Sequence, residues 1–186
     1  VVDEAYHEFS GQTVVPLLTH HENLVVLRTF SKAMGLAGLR IGYLLASPAL
    51  VGEINKARLP YNINFLSQLA AMAALDDYPL LSRTVAQLTA ARETLFEELG
   101  AIPGIRAYPS RANFLLIEIA SKAAKAVFED LFAQGILVRD VSSYPRLSRC
   151  LRLSVGTAAE NQKLLAALRA SLTTTAVTPE AHQVRS

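Results

Sequence analysis

The sequence predicts an α/β chain in two parts, strands flanked by helices over residues 1–82 and a smaller α+β set over 83–172, with a polar tail over 173–186. Three observations carry this. The composition is 51% hydrophobic and only 18% charged, enough for a packed core and too apolar for a wholly disordered chain. Short β-prone runs in the first part do not alternate polar with apolar residues, as in strands of a sheet buried on both faces. A long helical stripe then precedes a compact set in which short strands and helices follow one another.

Val1-Val2-Asp3 reads as the middle of a strand with no lead-in, which suggests that the polypeptide begins upstream. Leu24 to Leu27 and Leu39 to Ala46, the latter with Arg40 embedded, are the next strands. Pro48 opens a helix to about Ala57, which Pro60 stops. Asn64 to Leu75 is Ala-rich, with Leu66, Leu69, Ala70 and Ala73 at helical spacing, and predicts a well-buried helix. Pro79 to Leu99 is one long helix, striped by Leu81, Val85, Leu88, Leu95 and Leu99, with Gly100 placed as its C′ residue. A helix of ~20 residues spans about 30 Å, enough to lead from one domain into another.

In the second part, Asn113 to Ile119 predicts a strand, Ser121 to Gln134 a helix stopped by Gly135, and Ile136 to Arg139 a short strand. Leu151 to Val155 is a further strand. Thr157-Ala158-Ala159-Glu160 is a capping box opening the last helix, with Leu164, Leu165, Leu168 and Leu172 on its apolar face. From Thr173 the chain turns polar and Thr-rich, as a frayed tail does.

The net charge of +2, from 18 basic and 16 acidic residues, is too small and scattered to argue for nucleic acid or an anionic membrane. Cys150 is the only cysteine, so no internal disulfide exists and a reducing cytoplasm is the expected compartment. No apolar run approaches the roughly 20 residues of a membrane span.

Chemistry concentrates in Thr29-Phe30-Ser31-Lys32-Ala33-Met34-Gly35-Leu36-Ala37-Gly38-Leu39-Arg40-Ile41-Gly42-Tyr43. A lysine just past a strand end can project into a cleft, and if desolvated or placed near other cations it becomes a nucleophilic amine. Arg40, with Ser31 and Thr29, can fork around a phosphate beside it. An ordinary surface loop with a solvated lysine fits the composition equally well. Glu4, His7 and Glu8 suggest a metal cluster only superficially, because no H-E-x-x-H is present and a strand splits them between faces.

This segment resembles the Schiff-base lysine motif of fold-type I pyridoxal-phosphate (PLP) enzymes, S-K-x-x-x-x-A-G-L-R-x-G-[YF], in the form shared by histidinol-phosphate aminotransferases and their close relatives. Val1-Val2-Asp3-Glu4-Ala5-Tyr6-His7-Glu8-Phe9 is similar to the same family's V-D-E-A-Y-x-E-F strand, and Asp3 precedes Lys32 by 29 residues, about the family's separation. The resemblance implies that residues 1–82 are the C-terminal part of a large PLP-binding domain with a mostly parallel sheet. It implies that Lys32 forms the Schiff base with pyridoxal 5'-phosphate and shuttles a proton at the substrate's Cα. Asp3 would pair with the protonated pyridine nitrogen, Tyr6 would hydrogen-bond the phenolic oxygen, and Arg40, Ser31 and Thr29 would hold the phosphate.

A second constellation lies near the end. In Leu151-Arg152-Leu153-Ser154-Val155 the apolar residues alternate, so Arg152 and Ser154 share the opposite face. Arg139 ends another short strand 13 residues earlier. On pattern alone the two arginines either converge on one dianion or pair with carboxylates, Asp140 adjoining Arg139. The run V-R-D followed by C-L-R-x-S-V-G-T is similar to the end of histidinol-phosphate aminotransferases, where such a pair binds the substrate's phosphate and the second arginine takes the α-carboxylate of glutamate. Asn113 either matches a family position near the substrate or only caps a strand, and Tyr61-Asn62-Ile63-Asn64 reads as a structural helix lead-in.

The resemblance covers roughly residues 1–172 and about the second half of a family member. The family's Gly/Ser-rich phosphate loop, its stacking ring and an Asn near the phenolic oxygen lie N-terminal to V-D-E-A-Y, and no G-x-G occurs in these residues. The expected function is transamination between histidinol phosphate and 2-oxoglutarate or glutamate by a cytoplasmic homodimer. An aromatic-amino-acid aminotransferase or a threonine-phosphate decarboxylase is the alternative within the family. A truncation without activity is the alternative of another class.

Overall fold

The computed structural model describes residues 1–173, so the tail expected from Thr173 onward lies, beyond that residue, outside the described part. Two compact units are present, one of residues 1–90 with Arg111–Asn113, the other of Ala91–Ser110 and the chain from Phe114. The division falls inside the long helix, eight residues past the boundary read from the sequence.

The first unit carries a three-stranded sheet in the order β1 (Val2–Asp3), β2 (Val25–Thr29), β3 (Gly42–Ala46). β1 and β2 are parallel, whereas β2 and β3 are antiparallel, so the sheet over these residues is mixed. A short helix α1 (His7–Ser10) follows β1. Over these residues the sheet is not buried on both faces as expected: Val26 is fully buried, but Leu27 and Tyr43 are exposed. The stretch Ala37–Leu39 is a 3-10 turn rather than strand, and β3 starts only at Gly42. Gly42 is required there. A Cβ at that position would sit 2.8 Å from the Arg28 carbonyl oxygen on β2.

Helix α2 (Pro48–Lys56) starts as its proline predicts, with the Ser47 hydroxyl accepting from the Leu50 N–H. Helix α3 (Phe65–Asp76) is capped by Asn64, which confirms the lead-in role of Tyr61–Asn64. Its expected burial is not observed. Leu66 and Leu69 are exposed, Ala73 likewise, and only Ser67 and Ala71 are buried. The helix is apolar on all sides, so periodicity could not say which side packs; the side that does faces Phe30, Ile41, Met34, Leu36 and Leu39.

Helix α4 (Tyr78–Gly100) is the long helix, with Leu95 and Leu99 buried and Leu81, Val85 and Leu88 partly so. Gly100 is its last residue, not a left-handed C′ glycine, because the chain tightens instead through Ile102 N–H to Leu99 C=O. The second unit is an antiparallel sheet in the order β4 (Ile105–Tyr108), β5 (Phe114–Ile119), β7 (Cys150–Ser154), β6 (Arg139–Asp140). Helices α5 (Ala124–Ala133) and α6 (Ala158–Thr173) belong to the same unit. Leu115, Ile117, Ile119, Val127, Leu131, Leu151, Leu153 and Leu168 form its core, each at most 1% exposed.

β4 was not foreseen, and Ile136–Val138 is not strand, since only Arg139–Asp140 pairs with β7. Two local signals were read correctly. Gly135, at φ 72°, closes α5 with its N–H on Phe132 and the Ile136 N–H on Leu131, a Schellman arrangement. Thr157 and Glu160 form the capping box: Glu160 N–H donates to Thr157 Oγ1 and Thr157 N–H to Glu160 Oε2. Cys150 is buried in β7, and burial first, then Glu118, pushes its thiol pKa up.

Candidate active site

In the first unit the parallel pairing of β1 with β2 puts Asp3 and Thr29 at the same, carboxyl end of the sheet, the end at which open α/β sheets bind ligands. Asp3 Oδ1 accepts the Ala5 N–H at 2.9 Å, which shapes the turn that delivers Tyr6. Thr29 Oγ1 accepts the Ser31 N–H at 3.0 Å, starting the turn that presents Lys32. Lys32 is exposed, and its Nζ stands 5.4 Å from the centre of the Tyr6 ring. A lysine and a tyrosine 26 residues apart in sequence are thereby brought face to face.

The loop after Lys32 is held from below. Phe30, Ile41 and Ala71 form a small buried cluster against which Met34, Leu36 and Leu39 pack. Ser67 is fully buried, and its hydroxyl donates to the Leu39 carbonyl at 2.9 Å while receiving the Asn64 side-chain N–H. Directly after that anchor, Arg40 adopts a left-handed conformation with φ 51°. Such a conformation in a non-glycine residue costs on the order of 1–3 kcal/mol and is maintained by its surroundings. The exposed guanidinium donates to the Ala37 carbonyl at 3.0 Å, which leaves further N–H groups for an anion.

Glu4, set aside as a metal ligand, has a different role. It is 8% exposed and accepts Arg28 Nε and Nη2 on Oε2, with the Thr13 hydroxyl on the same oxygen and the Val14 N–H on Oε1. Burial works to raise its pKa, but the Val14 N–H, Arg28 and Thr13 outweigh it and hold the carboxyl below its ordinary value. Arg28 and Ser67 were missed from sequence. A charged residue in an apolar strand and a serine in a mostly apolar helix were the available signals.

In the second unit Arg139 and Arg152 are direct cross-strand partners of β6 and β7. Neither forms an ion pair among the described residues; Asp140 instead accepts the Ser142 N–H. Arg152 lies over the Phe114 ring at 5.0 Å, and its buried Nε has no protein partner. Both arginines line a cavity of about 380 Å³ with Val141, Tyr144 and Leu147. Two adjacent guanidinium groups with spare donors beside apolar walls suit an organic dianion. Asn113, half-buried just before β5, groups with the first unit rather than with these arginines.

A family model described as aminotransferase class I and II matches residues 1–168. The chain belongs to the class I and II aminotransferase family. Within that family it is 45% identical over 173 residues to histidinol-phosphate aminotransferase 1 of Burkholderia lata, covering 92% of this chain and 48% of that protein. The fold is likewise that of aminotransferases. The crystal structure of the histidinol-phosphate aminotransferase from Clostridium acetobutylicum matches with a TM-score of 0.84 at 25% identity, over 90% of this chain and 52% of that one. That of Sinorhizobium meliloti, in complex with pyridoxal-5'-phosphate, matches with a TM-score of 0.80 at 32% identity, over 91% and 47%. The chain spans about half the length of the curated aminotransferases it matches. No helix among the described residues is long and apolar enough to cross a membrane.

Proposed function

We propose that this chain carries the cofactor lysine and the substrate-phosphate arginines of a PLP-dependent histidinol-phosphate aminotransferase, which exchanges an amino group with 2-oxoglutarate and glutamate as a cytoplasmic homodimer. The observation that carries the reading is the approach of Lys32 Nζ to the Tyr6 ring, beyond the carboxyl ends of the parallel strands β1 and β2 that lead into Asp3 and Thr29. The donor set of Asp3, Tyr6, Thr29, Ser31, Lys32 and Arg40 fits a phosphorylated pyridine aldehyde: an amine for the aldehyde, a carboxylate for the ring nitrogen, a phenol for the ring oxygen, and hydroxyls and a guanidinium for the phosphate.

When bound, PLP supplies an electron sink for the carbanion at the amino acid's Cα. Lys32 holds the cofactor covalently and afterwards moves the proton at that Cα. Asp3 keeps the ring nitrogen protonated through its negative charge, and Tyr6 donates to the ring oxygen. Ser31, Thr29 and Arg40 bind the cofactor's phosphate. Arg139 and Arg152 bind the substrate's phosphate, and Arg152 also takes the glutamate α-carboxylate. Asn113 is a further candidate for contact with the substrate. Support for histidinol phosphate comes from the arginine pair and from relatives of that name at 44–45% identity.

The test is borohydride reduction of a protein of full family length carrying this sequence, followed by peptide mass spectrometry. A phosphopyridoxyl group should be found on Lys32; a group on Lys56, Lys122, Lys125 or Lys163 instead would sink the assignment. A steady-state screen of amino donors then separates histidinol phosphate from aromatic amino acids, and product analysis with threonine phosphate tests for decarboxylation.

A further inference from the structure

We infer that Glu4 and Arg28 are a positioning pair that fixes the Asp3–Tyr6 turn against the Thr29–Lys32 turn. This rests on the proposed roles of Asp3, Tyr6 and Lys32. Glu4 lies between Asp3 and Tyr6, and its backbone N–H donates to Leu27 at 2.8 Å, carrying the β1–β2 ladder one residue past the strand. Arg28 lies next to Thr29 and four residues before Lys32. The bond between the two side chains therefore joins the roots of both turns.

The geometry is directional. Arg28 donates from Nε at 3.0 Å and Nη2 at 2.9 Å to Glu4 Oε2, and Nη2 also reaches Thr13 Oγ1 at 2.9 Å. Thr13 in turn donates to Oε2 at 2.9 Å, and the Val14 N–H reaches Oε1 at 2.6 Å. The carboxylate is thus held on both oxygens and the guanidinium at two nitrogens. On the other side Arg28 is the cross-strand partner of Tyr43, whose ring meets Phe30 edge-on at 5.7 Å. The side-chain network therefore ties β1 to β2, and backbone pairing carries it on to β3.

Stability alone is a poor reason for such a pair, because apolar side chains of similar volume often replace buried ion pairs at no loss. What a charge-paired fork provides and an apolar contact does not is a fixed direction. Reacting groups misplaced by about 1 Å can lose a factor of roughly 100 in rate. Neither Glu4 nor Arg28 is assigned to the cofactor or substrate, so both act through the turns they hold.

The test uses a protein of full family length carrying this sequence, with three variants: Glu4→Gln, Arg28→Lys, and Glu4→Gln combined with Arg28→Met, which leaves no unpaired buried charge if the single changes fail to fold. Measured are the Kd for PLP, the pH midpoint of the bound cofactor's absorbance change, and Tm. Glu4→Gln and the double variant should weaken PLP binding roughly tenfold and move the midpoint by about half a pH unit or more. Arg28→Lys, which keeps the charge without the fork, should recover part of both. A folded double variant with the parental Kd and midpoint, whatever its Tm, would overturn the inference and leave a structural contact. If borohydride places the adduct away from Lys32 in the parent protein, the functional reading fails and this inference with it; an adduct on Lys32 with Kd and midpoint both unmoved overturns this inference alone.

Discussion

Replacing Arg152 or Arg139 by alanine should weaken substrate turnover while leaving the free protein no less stable, and the two effects can be sized separately. A charge-assisted hydrogen bond is worth about 1.5–3 kcal/mol. Arg152 is half-buried, with an Nε that no protein group satisfies. Its loss should fall in the upper part of that range, a drop of about 30- to 150-fold in kcat/KM. Arg139 is exposed, so its loss should stay near about tenfold. In the free protein the two like charges face each other across β6 and β7, which costs about 0.2–1 kcal/mol. Arg139→Ala relieves that cost outright. Arg152→Ala relieves it too but gives up about 0.5–1 kcal/mol of stacking on Phe114, so the net change should be near zero. The assay, on a protein of full family length carrying this sequence, is steady-state kcat/KM for histidinol phosphate and for glutamate, alongside Tm without substrate. Arg152→Ala should harm both substrates, and Arg139→Ala mainly the phosphorylated one. A marked fall in Tm with both kcat/KM values intact would refute the reasoning and make the arginines structural.

Glu4 has a lowered pKa in the folded chain, so its stabilising contribution is complete above the unfolded value and lost as pH falls through the folded one. The first unit should therefore loosen below about pH 4.5, and Glu4→Gln should flatten that slope in amide exchange between about pH 5 and 3; parallel slopes would remove the linkage. Gly42→Ala forces a Cβ against the Arg28 carbonyl and should cost about 1–3 kcal/mol by chemical denaturation, with an unchanged midpoint arguing against the close approach. The 186 residues alone should bind PLP weakly and show no transamination, because the family's phosphate cup and stacking ring precede V-D-E-A-Y. Saturable micromolar binding with turnover would overturn that expectation.

What the sequence made legible was local. Gly135 and the Thr157–Glu160 box act within one turn, so their residue types announce their geometry. Lys32, Asp3 and Tyr6 were legible only through a motif; nothing in their spacing says that parallel pairing will bring Lys32 over Tyr6. Glu4 meets Arg28 across 24 residues and Ser67 meets Leu39 across 28, and such partners exist only once strands and helices have packed. β4 escaped notice because Ile105–Tyr108 has four residues and depends on β5 for its bonds. The strand expected over Ile136–Arg139 is found only from its last residue, for the converse reason: β-prone residues were present, but the pairing with β7 ended at Arg139.

The single thiol has a practical consequence. Cys150 lies in the middle of the second unit's core, and its raised pKa keeps it as the unreactive protonated form near neutrality. A maleimide should therefore pass over the native chain and label a cysteine engineered on the surface selectively, giving a clean background for fluorescence labelling. In the unaltered chain, the same reagent becomes a clock: the rate at which Cys150 is captured counts how often the second unit opens.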